Sequence, residues 1–533
     1  MKIHIFLDTN LGMASRWFLI SLVFSLCTIL STSADVFISI DCGSSIPNRD
    51  ENGITWVGDD KYVQSGESRS IKPLNSRFSV ADTLRVFTTR NKNCYHIDSV
   101  KKGRVLVRAS FYYGNYDGKS FPPTFDIHFD GNFWTTVHTS NTEFYYYEVT
   151  YVLKRESISV CLAQTKPGQF PFISALEVRS LESSMYNYVN DSYPLLVWKR
   201  VAFGSNKVLR YQDDPYDRLW NIGGYGNGSI PVSGDSIFTQ RPHVMDNPPP
   251  AVLRNAITAK TLNTSVELLM GFPSYEINVF INWYFSEVTR LGPGQNRSFR
   301  IFKDNESYSE PIIPLYGDCV EMILDSAIAV SSNTTFSLVP TNVSTLPPLI
   351  NALEIFQLPE PDDKLTDGTN KKDVEGLASL QERFKLLQSW TSDPCLPAPY
   401  TWDWIKCSLD PIPRVTALLL NGYGLSGSLP DFSSMDALQT IDVQNNSLQG
   451  PIPDFLGTLP NLKILNFADN QFNGSVPASL STKKGLNLTV SGNPGLCASD
   501  ETCHISAASP TNDKKKNILE LLFAAITASI FVL

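Results

Sequence analysis

The chain is short of what most chemistry requires. It has six histidines in 533 residues, and five of them follow the leader region: His96, His128, His138, His243 and His504. No two stand at metal-ligand spacing, no Cys-x-x-Cys occurs, and no Ser or Cys lies in a nucleophile-elbow or protease signature. Acidic neighbours such as Asp59-Asp60 and Asp213-Asp214 do not make a glycosidase pair. That reaction needs two carboxyls roughly 5–9 Å apart across one sugar, and adjacent strand residues point to opposite faces. They read as turn or ion-pair residues. These absences predict no enzyme, no cofactor and no metal. Basic residues are also short, 44 Lys and Arg against 53 Asp and Glu for a net charge of −9. That balance argues against nucleic acid as a partner and against attraction to an anionic lipid surface. No apolar run reaches the roughly 20 residues of a membrane-spanning helix.

The apolar runs that do occur sit near the two ends. Residues 17–30 follow Arg16 and precede Ser31-Thr32-Ser33-Ala34, the pattern of a secretory signal peptide, residues 1–34, cleaved after Ala34. Met13 makes a tidier start than Met1. Residues 518–533, interrupted by Glu520, follow Ser506-Ala507-Ala508-Ser509 and a spacer containing Lys514-Lys515-Lys516. Small residues, polar spacer and apolar tail match the glycosylphosphatidylinositol (GPI) signal, with Ser506 or Ala507 as acceptor and 510–533 as spacer and tail. The expectation is a protein on the extracellular face of the plasma membrane, lipid-anchored or secreted, with no cytoplasmic domain.

Ten Asn-x-Ser/Thr acceptors fit that compartment: Asn190, Asn227, Asn263, Asn296, Asn305, Asn333, Asn342, Asn445, Asn473 and Asn487. None lies between Asp35 and Asn187, so the N-terminal module is the barest surface and the better candidate for close contact. Eight cysteines follow the signal, an even number that favours disulfides in a secreted chain. Cys395 with Cys407, and Cys497 with Cys503, bracket a repeat block. Cys42, Cys94, Cys161 and Cys319 allow three connectivities, which spacing does not decide.

That block repeats about every 23 residues. Leu418-x-Leu420-x-x-Tyr423-x-Leu425-x-Gly427-x-Leu429-Pro430 becomes Ile441-x-Val443-x-x-Asn446-x-Leu448-x-Gly450-x-Ile452-Pro453. It returns as Leu465-x-Phe467-x-x-Asn470-x-Phe472-x-Gly474-x-Val476-Pro477, then in part as Leu488-x-Val490-x-x-Asn493. The spacing is that of a leucine-rich-repeat solenoid, one strand per turn on a shared core. Leu419, Asp442, Asn466 and Thr489 alternate with the core leucines and face outward, a small surface for a partner.

The larger part of the chain is duplicated. Val107-Arg108-Ala109-Ser110-Phe111-Tyr112 recurs as Ile281-Asn282-Trp283-Tyr284-Phe285-Ser286, and Phe125-Asp126-Ile127 with Asp130 as Phe299-Arg300-Ile301 with Asp304. All keep one offset. Short β-branched and aromatic segments between turn residues make each copy an all-β sandwich. The motifs Asp41-Cys42-Gly43, Trp56, Asp59-Asp60-Lys61-Tyr62, Asn93-Cys94-Tyr95, 111–117, Phe125-Asp126 and 172–177 resemble the plant malectin-like domain over residues 37–357. Arg210-Tyr211, Asp214, Asp217, Arg218 and Trp220 resemble the junction between that family's two lobes. Tandem malectin-like lobes before a few leucine-rich repeats resemble the ectodomain of symbiosis-receptor-type receptor kinases. There a Gly-Asp-Pro-Cys motif precedes the repeats and is linked to release of the malectin-like part. Here it reads Ser392-Asp393-Pro394-Cys395.

Between the parts, 358–372 reads as a polar linker. Val374, Leu377, Leu380, Phe384 and Leu387 follow at helical steps, an apolar face to seal the first repeat, and Trp390, Trp402 and Trp404 read as core beside the cap. The expected fold is mainly β: tandem malectin-like β-sandwiches followed by a short leucine-rich-repeat solenoid. The lobes span 35–190 and 200–357, the N-terminal repeat cap 373–410, the repeats 411–496, and the C-terminal cap and stalk 497–509. Tyr112, Tyr113, Tyr116 and Asp117 are the candidate ligand contacts, because rings stack on sugars while a carboxylate accepts hydroxyl hydrogens. Half of such rings on a strand must face the core. The resemblance implies a receptor-like or co-receptor protein that binds a secreted peptide or cell-wall glycan and signals through the kinase of a separate receptor or co-receptor. The rivals are a secretory-pathway lectin or quality-control factor, disfavoured by the absence of a retention signal, and a wall-enzyme inhibitor.

Overall fold

The computed structural model describes residues 35–72, 79–234, 244–323, 326–360 and 364–497. The signal peptide, Cys503, Ser506, Ala507 and the apolar tail lie outside the described residues. Lobe 1 is built from β1 (Phe37–Asp41), β2 (Lys92–Asp98), β3 (Gly103–Tyr112), β4 (Thr124–Phe129), β5 (Asn132–His138), β6 (Phe144–Leu153), β7 (Ser157–Ala163) and β8 (Ala175–Ser180). Lobe 2 follows with β9 (Leu195–Phe203), β10 (Val266–Leu268), β11 (Ile277–Glu287), β12 (Phe299–Lys303), β13 (Glu306–Ser307), β14 (Phe336–Pro340) and β15 (Ala352–Gln357).

Both lobes share one sheet. Its strands run β1-β8-β3-β6-β9-β15-β11, and the junction is the antiparallel pairing of β6 with β9, Val149 to Leu196 and Thr150 to Leu195. Against this sheet lobe 1 lays β2-β7-β4-β5, and lobe 2 lays β10-β14-β12-β13 in the same order. The duplication is therefore structural: β3 corresponds to β11, β4 to β12, β5 to β13 and β8 to β15. The pleat sorts the side chains. Val105, Val107, Ala109 and Phe111 of β3 enter the core of lobe 1, and Ile277, Val279, Ile281, Trp283 and Phe285 of β11 enter that of lobe 2. Alternate residues, among them Leu106, Phe280 and Tyr284, are buried on the other face. Burial on both faces explains why these strands read as nearly continuous apolar runs. The matched Asp130 and Asp304 are turn residues. Asp130 (φ 46°) and Gly131 (φ 83°) join β4 to β5, while Asp304 (φ 51°) and Asn305 (φ 67°) join β12 to β13. Positive φ at both positions is the tight hairpin turn that Asp, Asn and Gly tolerate.

The cysteines do not all pair. Cys94 and Cys161 form a disulfide across the β2–β7 ladder, and Cys395, Cys407 and Cys497 are disulfide-bonded. Cys42 and Cys319 are free and buried, with burial holding both thiols well above their ordinary pKa. The even count therefore misled for these two, because they sit in the cores of different lobes.

The chain forms two compact units. Ser389–Asp403 and Leu409–Pro413 belong with the sandwiches, whereas Lys371–Gln388 and Trp404–Ser408 belong with the repeats. In the solenoid, α1 (Lys371–Arg383) precedes the parallel strands β16 (Val415–Leu419), β17 (Thr440–Asp442), β18 (Ile464–Asn466) and β19 (Asn487–Thr489). Leu418, Ile441, Leu465 and Leu488 stack in register. Asn470 shows why the repeat needs asparagine. Its Oδ1 accepts from Leu448 N–H, and its Nδ2 donates to the carbonyls of Val443, Phe467 and Ala468, satisfying a turn that no strand pairs. Asn446 and Asn493 do the same in their repeats. Leu377 and Leu380 of α1 are buried, and Asp373 accepts from Arg414 and Val415 N–H. Val374 departs from the expected apolar face, being 41% exposed. Phe384 leaves helical geometry (φ −116°, ψ 97°) and begins a short 3-10 turn.

The stretch read as a polar linker is not free where it is described. Leu365 N–H donates to Ser192 O, Thr366 N–H to Asn132 Oδ1, and Lys154 pairs with Asp367. The segment runs along lobe 1.

Candidate functional site

Two features of the sandwich unit bear on function: a cleft where the lobes meet and a buried ionic belt behind it. Past the Val149–Leu196 pair, β6 and β9 no longer pair with each other, and β9 bulges between Val197 and Lys199. A bulge re-aims the side chain it carries, and Trp198 lies in the opening. The resulting cleft has a volume of about 580 Å³ and is lined by aromatic side chains from both lobes: Phe133, Trp134 and Tyr147 from lobe 1, Trp198 and Tyr275 from lobe 2. Phe133 is 57% exposed and Tyr275 65%, so rings stand open to solvent on both banks. Glu360 and Lys364 add charge at the rim. The lining is mixed, with Asn132, Thr135, Glu148 and Gln357 among the rings, and concave surfaces of this size are the usual setting of ligand sites.

The belt holds the banks together. Arg108 donates to Glu148 Oε2 (2.7 Å) and to Glu177 (3.1 Å). Arg200 bridges to the other oxygen of Glu148 and to Glu354 Oε1 (2.5 Å). The row therefore passes from β8 through β3, β6 and β9 to β15. Tyr186 and Tyr284 hydroxyls donate to Glu354 at 2.9 and 2.6 Å. Asp217 gathers Arg179 and Arg210, and Asp214 takes Arg218 and the indole of Trp220. Burial alone pushes the Glu148 carboxyl up, but Arg200 and Arg108 outweigh it and hold it below its ordinary pKa. For Asp217 burial is likewise overcome by Arg108, Arg210 and Arg179. Of the residues singled out as an inter-lobe junction, Asp217 and Arg210 tie to Arg179 and Glu177 of lobe 1, while Asp214 holds Arg218 and Trp220 together. Asp59 and Asp60 both pair with Arg85, and Asp213 with Lys207.

The four candidate contacts do not form one exposed platform. Tyr112 and Tyr113 are buried, each 1% exposed. The Tyr113 hydroxyl donates to Asp117 Oδ1 at 2.5 Å, and its ring meets Tyr116 edge-on at 5.4 Å. Burial, with Asp117 nearby, raises the Tyr116 hydroxyl to about 12. Tyr116 is half-buried against the lobe 1 core, and Asp117 is exposed. The cleft residues were missed in the sequence because their signal is not local: they come from five separated stretches, and Trp198 owes its direction to a bulge. Of the ten glycan acceptors, nine are exposed and Asn296 is half-buried. Trp390, Trp402 and Trp404 are buried.

The Ser392-Asp393-Pro394-Cys395 motif docks on lobe 1. Asp393 accepts from Thr369 N–H and Oγ1–H and from the N–H groups of Cys395 and Leu396. Lys92 donates to the carbonyls of Asp393 and Leu396, both at 2.9 Å. Burial lowers the Lys92 amine to about 8 against the pull of Asp393 and Asp403. Arg90 lies 3.9 Å over the Trp390 ring and donates to Ser389. Ser392 has φ 73°, a left-handed conformation that favours glycine. The resemblance puts Gly at this position.

Two sandwiches fused through one sheet, with an aromatic cleft between them, and a short repeat solenoid define a two-lobed β-sandwich protein carrying leucine-rich repeats. The chain belongs to the malectin-like domain family: residues 40–358 match that domain, and residues 437–459 and 461–482 match the leucine-rich repeat. A probable LRR receptor-like serine/threonine-protein kinase of Arabidopsis thaliana is 35% identical over 442 residues, 79% of this chain and 50% of that protein. A putative leucine-rich repeat receptor-like serine/threonine-protein kinase of the same plant is 30% identical over 560 residues, 96% of this chain and 59% of that protein. The chain spans about half the length of such relatives. Among solved structures, the ANX2 ectodomain from Arabidopsis thaliana matches with a TM-score of 0.53 at 17% identity, covering 61% of this chain and 97% of that one. A chain in the complex of the plant peptide RALF23 with FER and LLG2 matches with a TM-score of 0.51 at 19% identity, covering 61% and 96%. At these identities the likeness is one of fold. No helix among the described residues is long and apolar enough to cross a membrane.

Proposed function

We propose that this chain is an extracellular receptor-like or co-receptor protein that holds a secreted ligand, peptide or cell-wall glycan, in the cleft between its malectin-like lobes. A kinase-bearing partner, met in part through the solenoid, relays the binding. The observation that carries this reading is the cleft itself, lined on one bank by the exposed ring of Phe133 and on the other by exposed Tyr275 and half-buried Trp198, at a belt-fastened junction. The peptide complex formed by FER, a protein of like fold, supports it. The exposed glycan acceptors favour the outer face of the plasma membrane as its place. The solenoid contributes Leu419, Asp442, Asn466 and Thr489 as an outward strand face, with Asn487 a glycan acceptor on the same strand as Thr489.

The test is calorimetric titration of the full chain with pectin fragments and, separately, with fractionated secreted plant peptides. Phe133→Ala and Tyr275→Ala are expected to weaken the bound class about 10-fold each, since truncating a central aromatic contact costs roughly 1–2 kcal/mol. A ligand whose affinity neither substitution changes places binding elsewhere and ends the cleft reading.

A further inference from the structure

The duplication presents the same sheet edge twice, and the two copies treat it differently. In lobe 2 the outer sheet ends at β13, two residues long, entered from the exposed glycan acceptor Asn305 and followed by Pro311. Short length, proline and a glycan are devices that keep an edge from pairing with another chain. In lobe 1 the corresponding strand β5 runs for seven residues, Asn-Phe-Trp-Thr-Thr-Val-His, without proline, lysine, acid or glycan acceptor, and its one irregularity is a bulge at Trp134, between Phe133 and Thr135. It pairs with β4 on one side, and no described strand pairs with the other. The opposite edge of this sheet is covered by its own chain, with His96 N–H of β2 donating to Tyr62 O. The two ends of β5 are also tied: Asn132 accepts from Thr366 N–H, and the backbone of His138 bonds Tyr147. Beyond the bulge, Thr135–Val137 is left as a regular open edge, and β5 borders the cleft at Phe133, Trp134 and Thr135.

An edge of alternating N–H and C=O groups is matched by another extended backbone, whereas a glycan offers no such periodic partner. We infer that β5 is a strand-addition site: an extended segment of a secreted peptide pairs along Thr135–Val137 and runs on past the bulge at Trp134, where its apolar side chains enter the cleft among Phe133, Tyr147 and Tyr275. This rests on the reading of the cleft as the ligand site and narrows the ligand to peptide. Lobe 1 supplies backbone pairing, and the lobe 2 bank supplies selection of side chains.

A phage-displayed library of random 12-residue linear peptides, panned on the full glycosylated chain, supplies the probe. Selected peptides are resynthesised with single backbone N-methyl groups, and hydrogen exchange of the chain is followed with and without them. Strand addition is expected to show two signatures. N-methylation weakens binding about 10-fold at every second peptide residue, and amide exchange slows within residues 135–137. Enriched peptides without that two-residue period, or with unchanged exchange in β5, overturn it, as does a library that yields no enriched peptide. Pectin fragments that protect Phe133 and Tyr275 while β5 exchange is unchanged also overturn strand addition but keep the receptor reading. Peptide and pectin both failing at the cleft overturns the two together.

Discussion

Arg200→Met is the sharpest test of the fastening between the lobes. The substitution keeps the aliphatic volume but leaves the Glu148 and Glu354 carboxylates, both buried, without the cation they share. Removing one partner of a buried pair typically costs about 3–5 kcal/mol, because the remaining charge cannot return to water. Arg108 still serves Glu148, and two tyrosine hydroxyls still serve Glu354, so the expected loss is about 3–4 kcal/mol. A sandwich unit of about 330 residues unfolds with an entropy near 0.7 kcal/mol per degree, so Tm should drop by about 5 °C. The triple variant Arg200→Met, Glu148→Gln, Glu354→Gln removes the stranded charges and should recover part of that loss. The pH dependence has a definite sign. The Glu148 carboxyl is held below its ordinary 4.5 in the folded state, so its stabilising contribution is complete above that pH and is lost as pH falls through the folded value. The gap between wild type and Arg200→Met should therefore narrow below pH 4.5. Calorimetric unfolding at several pH values measures all of this. A drop in Tm under about 1.5 °C for the single variant, corresponding to roughly 1 kcal/mol, would refute the belt as a fastening. A triple variant worse than the single would do so too.

Three other outcomes follow from local geometry. Ser392→Gly relieves a left-handed residue and should raise stability by up to about 1 kcal/mol; a lowered Tm would show that the Ser392 hydroxyl beside Cys94 matters more. Lys92→Met removes both carbonyl contacts to the docked motif and should speed amide exchange over 393–396. Because burial lowers this amine from 10.5 to about 8, the unfolded chain holds the extra proton between those values, and wild-type stability should rise with pH there relative to the variant; a flat difference would rule out the buried amine as the source. Gly376→Ala places a Cβ 2.3 Å from the Met435 side chain and should destabilise the solenoid by about 1–3 kcal/mol in thermal unfolding, with Gly376→Leu worse.

Legibility in the sequence followed the range of the interactions. The solenoid could be read because its contacts recur every turn: Leu418, Ile441, Leu465 and Leu488 stack at the interval at which they are written, and Asn446, Asn470 and Asn493 serve turns within their own and neighbouring repeats. The duplication could be read because both copies need the same positive-φ turn at Asp130 and Asp304. Candidate contacts were placed less well. Tyr112, Tyr113, Tyr116 and Asp117 share a local run, but the pleat and the Tyr113–Asp117 bond draw two of the rings inward.

By itself, the sequence determined that this protein is built of two β-sandwiches and a repeat solenoid, because periodicity and turn chemistry are local properties of the chain. Tertiary structure decided how the sandwiches share their interior. Strand pairing between Val149 and Leu196 merges them into one sheet, and Arg200 reaches across it to carboxylates 52 and 154 residues away in the chain. It also decided which cysteines meet, which edge stays open and which rings line the cleft, since each depends on residues far apart in sequence arriving within a few ångströms of one another.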